Sequence, residues 1–242
     1  MAEKGFVPTM GALHAGHAAL ISAARKRCKE VVVSVFVNPL QFNDSEDLKK
    51  YPRTPDKDRE IAFQAGASEV WFPTYEEIYP EVPELITAGP IGDLFEGASR
   101  PGHFNGMLTV VKRLFDLVQP DFAVFGEKDF QQLFLIKDLV HKLKLPVEVV
   151  SHPIVREADG LALSSRNVRL SAVERQKALV IYRALQAGPD NLLTTLATEP
   201  TWTTDYATVI NPDNFKEEIS AKQRALIAGW IGGVRLIDTM EY

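Results

Sequence analysis

The chain has 242 residues, 45% of them hydrophobic, which is enough to build one large domain or two smaller ones. Its 27 Lys and Arg against 32 Asp and Glu give a formal net charge of −5, which argues against a nonspecific nucleic-acid binder but leaves room for a small basic nucleotide pocket. Cys28 is the only cysteine, so an intrachain disulfide and a cysteine-rich zinc site are excluded and a reducing cytoplasm is expected.

No apolar run is long enough to span a bilayer and the N-terminus lacks a signal-peptide pattern, so a soluble intracellular protein with no membrane partner is expected. Residues 5–10 read as a strand and roughly 16–28 as a helix with Leu20, Ile21 and Ala24 on one face. Between them lies Pro8-Thr9-Met10-Gly11-Ala12-Leu13-His14-Ala15-Gly16-His17. His14 and His17 fall at a helix start, where backbone N–H groups and the positive dipole end favour an anion. An imidazole there can supply hydrogen bonds and, near neutral pH, a proton. Gly16 permits close ligand approach. The competing reading is that one histidine caps the helix and the other packs against the loop.

Val31 to Val37 is β-branched and continuously apolar, as in a strand buried on both sheet faces. Asn38-Pro39-Leu40-Gln41 follows it, either as a plain strand-ending turn or as a place where Gln41 offers donor and acceptor to a hydroxy acid. Asp56 to Ala65 reads as a helix, Glu69 to Pro73 as a strand, and Thr74 to Asn105 as Pro- and Gly-containing loop. His103 within it reads as a loop hydrogen-bonder. Leu108, Val111, Leu114, Phe115 and Val118 recur at helical spacing.

Asp121 to Phe125 is a strand, Phe130 to Leu143 a helix and Val147 to Val150 a further strand. Gly126-Glu127-Lys128-Asp129 sits at the end of the first of these. Lys128 beside a strand-end glycine suits a phosphate contact. Asp129 and Gln132 also have the spacing of a helix cap, and Lys128 also reads as an ordinary solvated lysine. In Val155 to Asn167, Asp159-Gly160 is a turn signal, and Ser164-Ser165-Arg166 is either a surface loop or a phosphate cradle with a bidentate arginine.

Alternating strands and helices predict an α/β fold, a doubly wound parallel sheet with its ligand at the carboxyl ends of the strands. Three polar clusters fall at such ends: His14 and His17, Asn38 and Gln41, and Gly126 to Asp129. After Asn167 the character changes. Ser171-Ala172-Val173-Glu174 opens a helix to about Gln186, and 190–242 mixes helix with short strands ending in Val234 to Asp238. The expected division is 1–167, a Rossmann-like domain, and 168–242, a small C-terminal α+β domain.

Several segments together resemble the pantoate–β-alanine ligase family, one of the nucleotidyltransferases with HIGH-type signatures. They are Val7 to His17, Val35 to Phe42, Tyr51-Pro52-Arg53-Thr54, Glu96-Gly97, Arg100 to Gly106, Gly126 to Gln132, Arg156 to Ala162, Ser164 to Asn167 and Arg235 to Asp238. They run in family order along essentially the whole chain. The resemblance implies ATP-dependent condensation of pantoate with β-alanine through a pantoyl adenylate, in a homodimer. It implies ATP contacts at Met10, Gly11, His14, Gly16, His17, Gly126, Lys128, Asp129, Val155, Leu163, Ser164, Ser165 and Arg166. His14, His17, Lys128 and Arg166 would carry the catalysis together with Mg²⁺, Gln41 and Gln132 would hold pantoate, and Asp58 would be a metal ligand by family position. Three features depart from the family's pattern. The chain begins almost at its first strand where the family has a preceding helical segment, which is expected to leave apolar surface or alter that strand's support. Leu163 replaces a common methionine, a mild swap in volume. The C-terminal domain, a lid in the family, is short.

Overall fold

The computed structural model describes residues 3–43, 45–218 and 220–242, and the chain forms two compact units. The first comprises Met1–Gly126 and Gln131–His152, the second Glu127–Phe130 and Pro153–Tyr242.

The first unit is built on five parallel strands: β1 Lys4–Thr9, β2 Glu30–Val35, β3 Glu69–Trp71, β4 Phe122–Gly126 and β5 Glu148–His152. Their order is β3-β2-β1-β4-β5, so the winding reverses at β1. The helices among them are α1 Ala15–Arg27, α2 Ser45–Lys50, α3 Pro55–Gln64, α4 Tyr75–Ile78, α5 Glu96–Ser99, α6 His103–Val118 and α7 Phe130–Lys142. Because side chains alternate along a strand, consecutive residues of β1 face opposite layers. Val7 enters a cluster with Leu13, Ile21 and Ala24 of the α1 segment and Ala62 of α3. Phe6 meets Phe115 of α6 edge-on at 6.4 Å. A sheet covered on both faces needs apolar side chains on both, which is why Val31 to Ser34 is wholly buried. This bears out the expected doubly wound α/β sheet.

The segment expected as loop from Thr74 to Asn105 contains α4, α5 and the first turn of α6. Thr74 caps α4 through a reciprocal box with Glu77. The start of α6 is fixed by close approach: a Cβ on Gly106 would lie 2.1 Å from the carbonyl oxygen of Leu40, so only glycine lets the helix reach the turn Pro39–Gln41.

In the second unit, β6 Thr203–Ile210, β7 Arg224–Ile231 and β8 Val234–Glu241 form an antiparallel sheet in that order. Its helices are α8 Ala172–Lys177, α9 Val180–Gln186 and α10 Leu192–Leu196. The helix expected as one piece to Gln186 is two, with tighter i→i+3 bonds from Leu179 to Gln176 and Ile181 to Ala178 at the joint. β7 and β8 join through Gly232-Gly233, both at positive φ (56° and 73°), as a two-residue hairpin turn requires. Ile181, Leu185, Leu196, Ala225 and Ile227 are at the centre of this unit's core.

Pro153 to Asn167, expected in the first domain, clusters with the second unit. Two contacts account for it. Leu161 enters the second core, and Arg156 forms a bidentate pair with Asp238 of β8, at 2.6 and 2.9 Å. Asp238 is 2% exposed. Burial pushes its carboxyl above the ordinary range, against the opposing hydrogen bonds and charge of Arg156. Arg156 also donates to the carbonyls of Gly160 and Thr239 and lies over the Tyr182 ring at 4.7 Å.

Two outcomes follow for stability. Gly106→Ala should destabilise the protein by about 1–3 kcal/mol through the clash with Leu40. An unchanged urea midpoint would contradict that packing. Arg156→Ala should remove about 3–5 kcal/mol, because it strands the buried Asp238 carboxylate. Paired denaturation curves of Arg156→Ala and Asp238→Ala measure this, and a loss under about 1 kcal/mol in both would reduce the pair to a surface contact.

Candidate active site

Parallel strands deliver the loops after them to one edge, and a doubly wound sheet opens a crevice where the order reverses. Here the reversal puts the loop after β1 beside the end of β4. At the end of β1, Thr9 Oγ1 donates to the Ser34 carbonyl at 2.7 Å and accepts from Gly11 N–H at 3.3 Å. The chain then turns through two left-handed residues, Gly11 at φ 86° and Ala12 at φ 50°. For Ala12 that conformation costs roughly 1–2 kcal/mol. The Asp58 carboxylate of α3 holds it, accepting from Ala12 N–H at 3.1 Å and Leu13 N–H at 2.7 Å.

His14 is the N-cap of α1. Its Nδ1 accepts from Gly16 N–H at 3.1 Å, and His17 Nδ1 accepts from His14 N–H at 3.3 Å. The rings lie 4.2 Å apart, centre to centre. So the capping reading holds for His14, and these two backbone amides are spent on imidazoles rather than offered to an anion. The chemistry moves to the far ring atoms. A neutral imidazole accepting at Nδ1 carries its proton on Nε2, so both rings are set as Nε2–H donors. Charge-assisted bonds from such donors to phosphate oxygens are about twice as strong as neutral ones.

After β2, Asn38 organises a buried polar cluster. Its amide donates to the Gly106 carbonyl at 3.0 Å and to Gln41 Oε1 at 3.1 Å. Its oxygen accepts from Leu40 N–H and from the Tyr79 hydroxyl at 3.2 Å. Burial pushes the Tyr79 hydroxyl far above its ordinary pKa, so it stays a proton donor. With Oε1 taken by Asn38, the Gln41 amide nitrogen faces the Met10 sulfur at 3.1 Å. His103 Nδ1 lies 2.9 Å from the Gln41 carbonyl and its Nε2 3.2 Å from Arg100. His103 makes the hydrogen bonds expected of it, but as the first residue of α6 and not from a loop, and the structure brings Met10 and Gln41 together. Tyr79 escaped the sequence reading, because only its contact 41 residues away gives it a role.

Gly126 ends β4. Gln132 is half-buried in the first turn of α7. Its neighbour Gln131 is buried and structural, donating to the carbonyls of Ile91 and Leu94 and accepting from Glu96 N–H.

In the second unit, Lys128 sits in the 3₁₀ turn Glu127–Asp129, with Asp129 at 3.7 Å. That turn is tied to β7: Arg224 pairs with Glu127 at 3.2 Å and lies 4.1 Å over the Phe130 ring, which stacks on Phe215. Val155 and Leu163 bond across a tight reversal, Leu163 N–H to the Val155 carbonyl at 2.9 Å. Ser164 Oγ accepts from Arg166 N–H at 3.2 Å, and Asn167 donates to the Ala162 carbonyl at 3.0 Å. Ser164, Ser165 and Arg166 are half-buried on this turn.

Asp58 does not have the surroundings expected of a metal ligand. It is 1% exposed, and its two oxygens accept from Ala12, Leu13 and the Thr54 hydroxyl. Among the described residues no three His, Cys, Asp or Glu side chains form a cluster able to hold a metal. No helix among them is long and apolar enough to cross a membrane.

Comparison with known proteins agrees with this architecture. The family model described as pantoate-beta-alanine ligase matches residues 1–241. A pantothenate synthetase of Nocardioides sp. is 47% identical over 263 residues, spanning 98% of this chain and 78% of that protein. The crystal structure of the pantothenate synthetase from Thermus thermophilus superimposes with a TM-score of 0.92 at 47% identity, covering 98% of this chain and 92% of that one. A pantoate-beta-alanine ligase from Francisella tularensis, solved with beta-gamma ATP and beta-alanine, gives 0.86 at 36% identity over 99% and 89% of the two chains. With a family model over nearly its whole length and relatives at this identity, the chain belongs to the pantoate–β-alanine ligase family.

Proposed function

We infer that this chain joins pantoate to β-alanine at the expense of ATP, through a pantoyl adenylate, releasing AMP and pyrophosphate. The observation that carries this reading on the chain itself is the histidine pair: two Nε2–H donors at the start of α1, directly after the central strand. Family membership names the substrates.

In the first step a pantoate carboxylate oxygen bonds to the α-phosphorus as the bond to pyrophosphate breaks. In the second the β-alanine amine attacks the acyl carbon, the acyl C–O bond breaks to release AMP, and the nitrogen gives up a proton. A carboxylate is a weak nucleophile, so the rate gain must come from alignment and from neutralising phosphate charge. We assign ATP contacts in the first unit to Met10, Gly11, His14, Gly16, His17 and Gly126. In the second unit we assign them to Lys128, Asp129, Val155, Leu163, Ser164, Ser165 and Arg166. His14, His17, Lys128 and Arg166 stabilise the charge that builds on the pyrophosphate oxygens. His17 gives it a proton from Nε2 in the imidazolium form, after its Nδ1 has taken up a proton and given up the bond from His14 N–H, and returns to the neutral ring. Gln41 and Gln132 hold pantoate. Gln41 suits the task because Asn38 fixes which end of its amide is the donor.

Magnesium enters this reading only as the ion that accompanies the triphosphate. Among the described residues the side chains do not fit a protein-held magnesium, since the Asp58 oxygens are already taken and no three possible ligands cluster. A homodimer in a reducing cytoplasm completes the proposal, on family likeness and the lone thiol of Cys28.

Exchange of labelled pyrophosphate into ATP should require pantoate and proceed without β-alanine, while AMP release should require all three substrates. Exchange driven by a phosphorylated substrate instead of pantoate would overturn the assignment. Lys128→Ala should slow adenylate formation by about a hundredfold or more with an unchanged fold, and a near-normal single-turnover rate would remove Lys128 from the chemistry. In His17→Gln the limb of the rate–pH profile that belongs to the proton donor should vanish. A uniformly lower profile of unchanged shape would make His17 an electrostatic contact only.

A further inference from the structure

We propose that Asp58 is a positioning residue for the histidine pair, acting through the backbone of the loop after β1 and not through a metal. The inference rests on the adenylate-forming reading above for its kinetic test only.

The carboxylate sits at the fourth position of α3, 45 residues along the chain from Leu13 in the loop it holds. A buried carboxylate is tolerated only when its oxygens are bonded, and this one has three donors. Oδ2 takes the amide of Ala12, while Oδ1 takes the amide of Leu13 and the hydroxyl of Thr54. Ala12 is held at φ 50° and Leu13 is buried against α1, so the two amides that Asp58 fixes lead directly into His14. From there the rings take their own orientation from backbone amides, His14 from Gly16 and His17 from His14. A shift of the Ala12-Leu13 peptide therefore displaces the His14 amide that sets His17. No alternative acceptor among those described serves Ala12 N–H or Leu13 N–H.

Asp58→Asn keeps the shape but presents an NH₂ group to one of the two amides, so one bond is replaced by a repulsion. In the folded variant the KM for ATP should rise about tenfold, and pantoate-dependent exchange should fall about thirtyfold, the loss expected of one charge-assisted bond. Raising Mg²⁺ or substituting Mn²⁺ should restore neither. A second readout needs no substrate. Imidazole ¹⁵N spectra of the unliganded protein should show His14 and His17 as Nε2–H tautomers in the parent chain and as tautomer mixtures in Asp58→Asn. Recovery of activity with metal would overturn the proposal in favour of a metal ligand. Unchanged ring spectra with an unchanged KM would overturn it outright. Loss of folded protein alone would lower the maximal rate and leave KM as it was, which also counts against it. If Asp58→Asn does not fold, Thr54→Val decides: it removes one donor to the same carboxylate and should raise the KM for ATP about threefold, whereas an unchanged KM overturns the proposal. Absence of pantoate-dependent exchange in the parent chain would instead fail the functional reading and leave the spectra to judge Asp58.

Discussion

The first unit depends on a single topological constraint, the reversal of strand order at β1. A strand hydrogen-bonded on both edges cannot shift register without disturbing both neighbours, and its burial on two faces fixes which residue points to which layer. That rigidity is what allows a short, strained loop to follow it. Phe6 and Val7 anchor the strand in opposite layers, and the positive φ of Gly11 and Ala12 follows just beyond the strand's end. The loop inherits its position from the sheet and its conformation from the one carboxylate, Asp58, that reaches it from α3.

A second theme is that buried polar groups here are used as connectors. Asn38 ties the turn after β2 to α6 and to Tyr79, Gln131 ties α7 to the segment around Ile91 and Leu94, and Asp238 ties β8 to Arg156. Such groups contribute little net stability when satisfied, yet removing one partner leaves the other stranded in a medium of low dielectric. They therefore specify one arrangement of loops where an apolar contact would tolerate several. Two of the segments that carry the family resemblance, around Arg156 and around Asp238, are joined by one such pair.

Much of this was legible in the chain. Continuous β-branched runs marked β2, helical spacing marked α6, and the placement of polar clusters after strands located the histidine pair and Gln41. What was not legible has physical causes. α4 and α5 are single turns among Pro and Gly residues, too short for a period to show. The hairpin of β7 and β8 was signalled by Gly232-Gly233 between apolar runs, a two-residue signature that went unread. Asp58 sits among charged neighbours in a helix whose sequence looks solvated, and nothing local tells that its donors lie in a distant loop. His14 illustrates the remaining ambiguity: capping and donating are compatible, because an imidazole has two nitrogens and the cap uses only one.

The grouping of Glu127–Phe130 with the second unit means that the chain crosses the division three times, after Gly126, after Phe130 and after His152. The tetrapeptide with Lys128 is thus a splice of one unit into the sequence of the other. Phe130 and its stacking partner Phe215, like Glu127 and Arg224, must be inherited together although they stand far apart in the chain. Recombination that exchanged only the C-terminal third between two such proteins would separate these partners, so compatible chimeras need a second, four-residue graft at the end of β4.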